Sequence, residues 1–421
     1  MPRESNVEIV NPVTVDEVSA WTRAVATPFL EDPDSPGTKR WAEAIERNWD
    51  PARAWGARDH QRWVATLRSE PRTLTVPGIQ DRTRLLAVDA VTNVTVLASH
   101  RRRGLMSRLV EGSLRTARER GDVISALIAA EYPIYGRFGY APATLSAGYT
   151  LWRGRPGAVV DGEPTRVDQV DLDEFADYAP GVFAAARSLY PGQIDRGLEW
   201  WNRTLGRNGY PTAEGLPSVW LLHSGPDGPD GLLAWRAQGK SDLAPPLQKV
   251  NVWVLAAASD AAYRDLWAYL CGIDGADEVV LSTRPVDEPV RLLLRDARTL
   301  AMTSHIDLLW LRLLDVPAAL TARRYQVPGD LVLEVIDDQA GGYTAGRYRL
   351  AADLDEVSCE STRAEPDLQI AQSALASAYL GGFRLLSLRL AGTVVERTPG
   401  ALAHVDRMFS TPVAPWNATW F

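Results

Sequence analysis

The sequence predicts a mixed α/β (α+β) protein of more than one domain, on three observations. A β-branched run, Val94-Thr95-Val96, stops at a basic loop with one glycine, Arg101-Arg102-Arg103-Gly104, and an amphipathic helical pattern begins at Leu105. Residues 158–305 repeat an alternation of strand-like and helix-like segments with less clarity. A chain of 421 residues suggests two to three domains, each large enough to bury its own core.

The elements follow in order. Residues 7–10 read as a first strand. A helix starts near Asp16, with Val18, Trp21 and Val25 at helical spacing, and Pro28 breaks it. Trp41 to Trp49 forms a second amphipathic segment. Residues 72–76 and 84–96 are β-rich. Residues 105–120 space Leu105, Leu109 and Gly112, and Val110, Leu114 and Ala117, on one helical face, with Gly121 suited to the C-cap. Residues 123–129 read as a buried strand, and a Tyr/Gly-rich turn follows. The run 153–157 has linker composition. Further on, strands are expected at 219–223, 232–238, 250–256 and 278–282, with a helix over 261–269 between the last two. Residues 226–231 read as a tight turn. A helix over 316–325 opens with Pro317, strands occupy 331–336 and 344–350, and helices cover 370–380 and 402–409.

Composition narrows the class. A net charge of −8 argues against a chain built to coat nucleic acid, and a local acidic surface would favour cationic substrates. Lysine occurs only at positions 39, 240 and 249, a bias toward arginine that fits a GC-rich genome. Cys271 and Cys359 are too far apart and too few for a disulfide framework or a metal site, and read as free thiols. No signal-peptide pattern opens the sequence and no apolar run reaches a membrane span. A cytoplasmic protein is expected, with export by a route that uses no signal peptide left open.

The loop at 101–104 carries chemistry. One glycine permits close backbone approach, the N–H groups of the first helical turn lack intrahelical acceptors, and the helix dipole and arginines add positive charge. Those are the parts that hold a pyrophosphate. The stretch is neither a Walker loop nor a dinucleotide fingerprint. Arg101-Arg102-Arg103-Gly104-Leu105-Met106 resembles the acetyl-CoA loop of GNAT acetyltransferases, with Met106 where that pattern has a small residue. IYGRFGY at 134–140, LLWLRLLDVPAALTARRY at 308–325, SALASAYLGGFR at 373–384 and a terminal aromatic residue, Phe421, extend the resemblance to the Eis (enhanced intracellular survival) family, a multidomain branch of GNAT proteins.

The resemblance implies an N-terminal GNAT domain over 1–150, a degenerate GNAT-like domain over 151–305 and a sterol-carrier-like domain over 306–421. It implies N-acetylation of primary amines, aminoglycoside-like or lysine-like, from acetyl-CoA without a metal, in a homo-hexamer with no nucleic-acid or membrane partner. Main-chain groups of Val94, Thr95 and Val96 would pair with the pantetheine arm. Arg102, Arg103, Gly104, Leu105, Met106 and Ser107 would hold the pyrophosphate, and Ala130 and Glu131 would touch the cofactor. Tyr135 would be the general acid, with Tyr140 as its neighbouring competitor, and the Phe421 carboxylate the base. His60, His100, His223, His305 and His404 stand in no suitable motif and read as structural. Glu31 falls where the family lines its acceptor pocket with acid. Trp420 replaces the acidic residue of the best-known branch, which predicts a less anionic, more aromatic pocket. Two alternatives remain: a lipid or hydrophobic-ligand binder working through the C-terminal part, and an N-acyltransferase using longer acyl-CoA.

Overall fold

The structure, a computed structural model, describes residues 7–78, 83–207, 217–238, 248–338, 341–353 and 356–421. In chain order the first part contains β1 (Val7–Val10), α1 (Val18–Ala26), α2 (Pro36–Glu46), β2 (Ala54–Asp59), β3 (Arg62–Pro77), β4 (Thr83–Val96), α3 (Leu105–Glu119), β5 (Ile124–Ile128), α4 (Tyr132–Tyr135) and β6 (Ala141–Pro142). The middle contains β7 (Leu145–Trp152), β8 (Val167–Val170), α5 (Leu172–Arg187), α6 (Leu198–Thr204), β9 (Val219–Gly225), β10 (Gly228–Gln238), β11 (Gln248–Ala257), α7 (Asp260–Gly272), β12 (Ala276–Arg284) and β13 (Leu300–Asp307). The last part contains β14 (Leu309–Leu313), α8 (Val316–Ala322), β15 (Gly329–Ile336), β16 (Gly346–Ala352), β17 (Val357–Ser361), β18 (Leu368–Ala371), α9 (Gln372–Ala378), α10 (Leu385–Leu390), β19 (Val394–Glu396) and α11 (Ala401–Phe409).

Three sheets organise these elements. The first runs β1-β2-β3-β4-β5-β14-β6, the second β13-β7-β12-β11-β10-β9-β8, and the third β17-β16-β15-β18-β19. In the first sheet β4 and β5 are parallel, and in the second β11 and β12 are. The sheets do not divide at 150 and 305. β7 begins at Leu145 and belongs to the second sheet, whereas β14, beyond 305, inserts between β5 and β6 of the first. The first and second sheets therefore each include a strand from across an expected boundary, while the third is built wholly from residues beyond 306.

Two segments differ from their sequence patterns for identifiable reasons. β3 has 16 residues, not the five of 72–76. Its middle carries Arg68, Glu70, Pro71 and Arg72, which break the apolar alternation of a strand. The charges are tolerated because Arg68 and Arg72 both pair with Glu70. α5 contains Pro180, which hides a helix whose Phe175, Ala179, Val182 and Phe183 pack against Trp220 and Leu232 of the second sheet. The turn expected over 226–231 is confined to Pro226-Asp227, because β10 already pairs at Gly228.

The C-terminal part is packed solid onto the first sheet. Leu333, Leu350, Leu375 and Val405 form one hydrophobic core with Ile124, Leu309 and Leu311. Arg312 of β14, fully buried, pairs with Asp337 at 2.8 Å and donates to Gln372 at 2.9 Å, crossing from the first sheet to the third. Gly139 makes room for this link. A Cβ there would lie 1.7 Å from the Arg312 guanidinium, and its φ of +79° disfavours any other residue. Part of the IYGRFGY motif is thus explained by packing. No helix among the described residues is long and apolar enough to cross a membrane.

Candidate active site

The site is built around the end of β4. The β4–β5 pairing stops at Val91–Leu127, so on that side Thr92 to Val96 have no strand partner among the described residues. On the other side β4 pairs with β3 through a bulge: Thr66 opposes Thr95 and Arg68 opposes Thr92. Asn93 occupies the bulge with φ +54°, a conformation that asparagine tolerates better than β-branched residues. The Thr66 hydroxyl fixes the bend by donating to the Asn93 carbonyl at 2.8 Å. The result is a parallel pair whose ladder ends early, leaving one edge of Thr92 to Val96 without a strand partner among the described residues.

The basic loop follows. Residues 98–100 make a short 3-10 turn, Arg102 and Gly104 both have positive φ (63° and 71°), and α3 starts at Leu105. The first turn of α3 carries no acid and no side-chain cap, so its N–H groups face outward with Arg101, Arg102 and Arg103 exposed around them. His100 pins the loop: its Nε2 lies 3.0 Å from Asp59 at the end of β2. That contact is the main cause holding the Asp59 carboxyl below its usual range. A Cβ at Gly104 would meet nothing within 4 Å, so a side chain there is opposed by φ, not by crowding. Leu105 is buried, while Met106 and Ser107 are half-buried on the first turn. The Met106 sulfur lies 3.4 Å from the Arg137 guanidinium.

This surface fits an acyl-CoA: an open strand edge for the pantetheine amides, then an uncapped helix start ringed by cations for the pyrophosphate. Replacing Arg102 and Arg103 together by Ala, or Gly104 by Val, should raise the Michaelis constant for acetyl-CoA about 10- to 100-fold, the scale of one or two charge-assisted hydrogen bonds. Thermal unfolding should be little changed. Steady-state kinetics with varied acetyl-CoA check this, and an unaltered constant would exclude the loop from donor binding.

Tyr135 ends the one-turn helix α4 and is 6% exposed. It shares a hydrophobic cluster with Leu105 and Leu127, against which Val94, Val96 and Met106 also pack. Among the described residues no hydrogen bond engages its hydroxyl. Burial, helped by Glu131, pushes its pKa up to about 12. Ala130 and Glu131 are exposed on the turn just before it. Tyr140 differs. It is fully buried, and its hydroxyl is 2.6 Å from the Ser125 hydroxyl, which already engages it.

The chain end arrives on the other side of β4. The strap 191–196 lies against β3, where Thr75 N–H donates to the Gln193 carbonyl at 2.9 Å and Thr73 N–H to the Asp195 carboxylate at 2.7 Å. The tail docks on this strap. Gln193 donates to the Trp416 carbonyl at 3.0 Å, Arg196 to the Ala418 carbonyl at 3.1 Å, and the Thr419 hydroxyl to the Ile194 carbonyl at 3.0 Å. Phe421, half-buried, then lines a cavity of about 390 Å³ with Trp41, Glu70, Asn93, Glu199 and Trp420. The terminal carboxylate forms no ion pair among the described residues.

Several expected site residues converge and others do not. Asn93 lines the Phe421 cavity, and Val94 and Val96 pack with Tyr135, so the bulge adjoins both sides. Tyr135 itself does not line that cavity. Glu31 does not line it either. It sits on an exposed turn after α1, beyond Leu30 at 96% exposure, and Trp41, Ala44 and Ile45 of α2 supply that wall instead. The acids present are Asp50, Glu70 and Glu199, none of which carries a sequence motif. Burial alone would raise the Glu70 carboxyl, but Arg68 and Arg72 outweigh it and hold it below the usual range.

An α/β domain with a bulged parallel pair whose ladder ends early and an uncapped basic helix start defines the GNAT class of acyltransferases, and the comparisons agree. The chain matches the GNAT acetyltransferase domain over residues 10–143 and, through a second domain family of the same description, over 192–313; residues 316–418 match the sterol carrier protein domain. An N-acetyltransferase of Streptomyces avermitilis is 36% identical over 429 residues, covering 100% of both chains. The N-acetyltransferase Eis of Mycobacterium tuberculosis is 31% identical over 358 residues, covering 83% of each. The crystal structure of Eis1 from Mycobacterium abscessus superposes with a TM-score of 0.83 at 29% identity, over 99% of this chain and 100% of that one. This chain belongs to the Eis family of GNAT N-acetyltransferases.

Proposed function

We propose that the protein transfers an acetyl group from acetyl-CoA directly to a primary amine, with the Phe421 carboxylate as base and Tyr135 as the acid that serves the leaving thiolate. The observation that carries this reading is the double-sided bulge of β4. Asn93 borders the cavity of the chain end while Val94 and Val96 pack with the Tyr135 cluster, so one strand separates an amine side from a thioester side. The Phe421 carboxylate takes the proton of the entering ammonium. Once the carboxyl has passed that proton to solvent, the amine nitrogen bonds to the thioester carbon, the carbon–sulfur bond breaks, and the surplus proton on nitrogen goes to the regenerated carboxylate. The Tyr135 hydroxyl serves as the acid by donating a hydrogen bond to the sulfur as its charge develops, and the departing thiolate completes its protonation from solvent. Amide and free thiol result. Main-chain groups of Val94 to Val96 orient the thioester, the loop 102–107 anchors its distant phosphates, and Ala130 and Glu131 flank it.

The packed interior of the C-terminal part supports a structural role for it: presenting the tail. Its core residues interlock with the first sheet, and this does not favour a lipid-carrier reading. A homo-hexamer and a cytoplasmic setting belong to the same proposal; exposed Leu386, Leu390 and Val395 supply apolar surface for subunit contacts. The test is acyl-CoA-dependent thiol release over a panel of primary amines, run with acetyl-CoA and with longer acyl-CoA. Turnover should be fastest with acetyl-CoA. Absence of turnover with every amine would overturn the reading.

A further inference from the structure

Two oxygen atoms on the walls of the Phe421 cavity have nothing to accept from. Asn93 Oδ1 and Glu199 Oε2 are shielded from solvent, and neither has a hydrogen-bond donor among the described residues. Asn93 sits in the β4 bulge, its backbone fixed at φ +54° and its carbonyl held by the Thr66 hydroxyl, so the side chain projects from a rigid support. Glu199 lies in the first turn of α6. No ion pair among the described residues engages it, although Arg203, one helical turn further along, lines the same cavity. Arg68 Nε, Arg72 Nε and Trp200 Nε1 are themselves unbonded and do not serve either oxygen.

The remaining side-chain acids of this cavity are already engaged. Glu70 pairs with both Arg68 and Arg72. Asp50 accepts from the Ala52 N–H at 3.0 Å and pairs with Arg53 at 3.5 Å. Phe421 adds the chain-terminal carboxylate to the same walls. Three acceptor groups thus border one space of about 390 Å³: an amide oxygen on the bulge, a carboxylate on α6 and the carboxylate of the chain end. Buried polar groups are normally hydrogen-bonded, so the two orphaned oxygens mark where a ligand would supply hydrogens. A primary ammonium carries three N–H donors on one nitrogen. A secondary ammonium carries two, and a tertiary one only a single donor.

Building on the acetyltransferase reading, we propose that Asn93 and Glu199 join the terminal carboxylate in a three-acceptor seat for the entering ammonium, one acceptor for each N–H, and that this seat selects primary over N-alkylated amines. Glu199 supplies the lasting negative charge that draws the cation in. When the Phe421 carboxylate takes one proton, Asn93 and Glu199 hold the other two N–H groups and keep the nitrogen beside the bulge. An N-methyl group would replace one donor, leave its oxygen unsatisfied and press against it.

The experiment compares 2-phenylethylamine with its N-methyl and N,N-dimethyl forms. Dissociation constants come from isothermal titration calorimetry, and kcat and KM from thiol release. The wild-type protein should bind the primary amine about tenfold or more tightly than the N-methyl form, and the dimethyl form more weakly still. Asn93→Gly removes the amide while tolerating the positive φ, and should shrink that ratio about threefold or more. Asn93→Asp keeps an oxygen acceptor and should keep the ratio. Glu199→Gln preserves shape and removes charge, so it should raise KM for the primary amine about tenfold or more while kcat changes less than threefold. Equal binding of the primary and N-methyl amines, or a ratio unmoved in both Asn93→Gly and Glu199→Gln, overturns the proposal. A collapse of kcat at unchanged KM in Glu199→Gln also overturns it, because that is the signature of a base and not of a seat. Preferential binding of the primary amine, weakened in these variants, without turnover of any amine by the wild type would instead count against the acetyltransferase reading and leave the seat supported.

Discussion

Residues appended after Phe421 should abolish most turnover, by about 100- to 10,000-fold, while acetyl-CoA binding persists. An extension converts the terminal carboxylate into a neutral amide, which removes the base at the cavity. General-base contributions are of this size. Deleting Phe421 should act alike, because it withdraws the carboxylate by about 3.5 Å of chain. The seat of the tail survives both changes, since Gln193, Ile194 and Arg196 grip residues 416–419 and not the last one. Thermal unfolding should therefore move little. Phe421→Leu keeps the carboxylate and loses only ring packing, so a drop of less than tenfold is expected. The order of the three variants decides the matter. A tail with a purely structural role would suffer more from Leu at 421 than from a flexible extension, and full activity in an extended chain would send the search for a base to Glu199 or an ordered water.

Tyr135→Phe should lower kcat about 100- to 10,000-fold with little change in the Michaelis constant for acetyl-CoA. The ring stays in its cluster; only the hydroxyl goes. With a pKa near 12 the phenol is fully protonated across the working range, so it sets no alkaline limb of the pH–rate profile below about pH 11. A thiol of pKa about 8.5 is more acidic, so the hydroxyl acts by hydrogen-bonding the charge as it develops and complete transfer is uphill. The linkage sign follows from the raised value. The folded state favours the neutral phenol, a stabilisation fully present below the unfolded value of about 10 and lost as pH rises through about 12. Tyr140→Phe is the control. It leaves the Ser125 hydroxyl without its 2.6 Å partner and should cost about 1 kcal/mol of stability while keeping most of kcat. Stopped-assay kinetics and thermal melts on both variants separate the roles, and near-full turnover in Tyr135→Phe would move the acid elsewhere.

The proposed donor side is readable in the sequence and the proposed acceptor side is obscure. The loop 101–107 and the helix behind it are contiguous, and their backbone chemistry depends on local features: one glycine, no acid in the first turn, a 3.6-residue apolar period. Tyr135 was placed by its motif, although Gly139 in the same motif serves the Arg312 link. The Phe421 cavity, the proposed acceptor side, is assembled from residues 41–50, 68–72, 92–93, 197–203 and 420–421. No local pattern joins segments so distant, so Glu70 and Glu199 carry no signal in the sequence, while Glu31, expected at an acceptor pocket, lies outside this cavity. β3 was half-hidden because its charges are paired internally and look solvent-facing in a linear reading. The strand exchange left no trace, since β7 and β14 are ordinary apolar strands whose partners are chosen by topology.

That exchange sets a timetable for biosynthesis. β5 acquires its outer neighbour only when β14 has been made, about 180 residues later. At roughly 5–20 residues per second the edge of β5 waits on the order of 10–35 s beside the ribosome with its hydrogen-bonding groups unmatched. Arg312, which rides on β14, cannot meet Asp337 before that moment. The nascent first lobe is thus held incomplete until the second has emerged, and the window invites holding by a chaperone. Gene fragments ending near residue 150 should yield aggregates, because they release a sheet whose closing piece is encoded downstream.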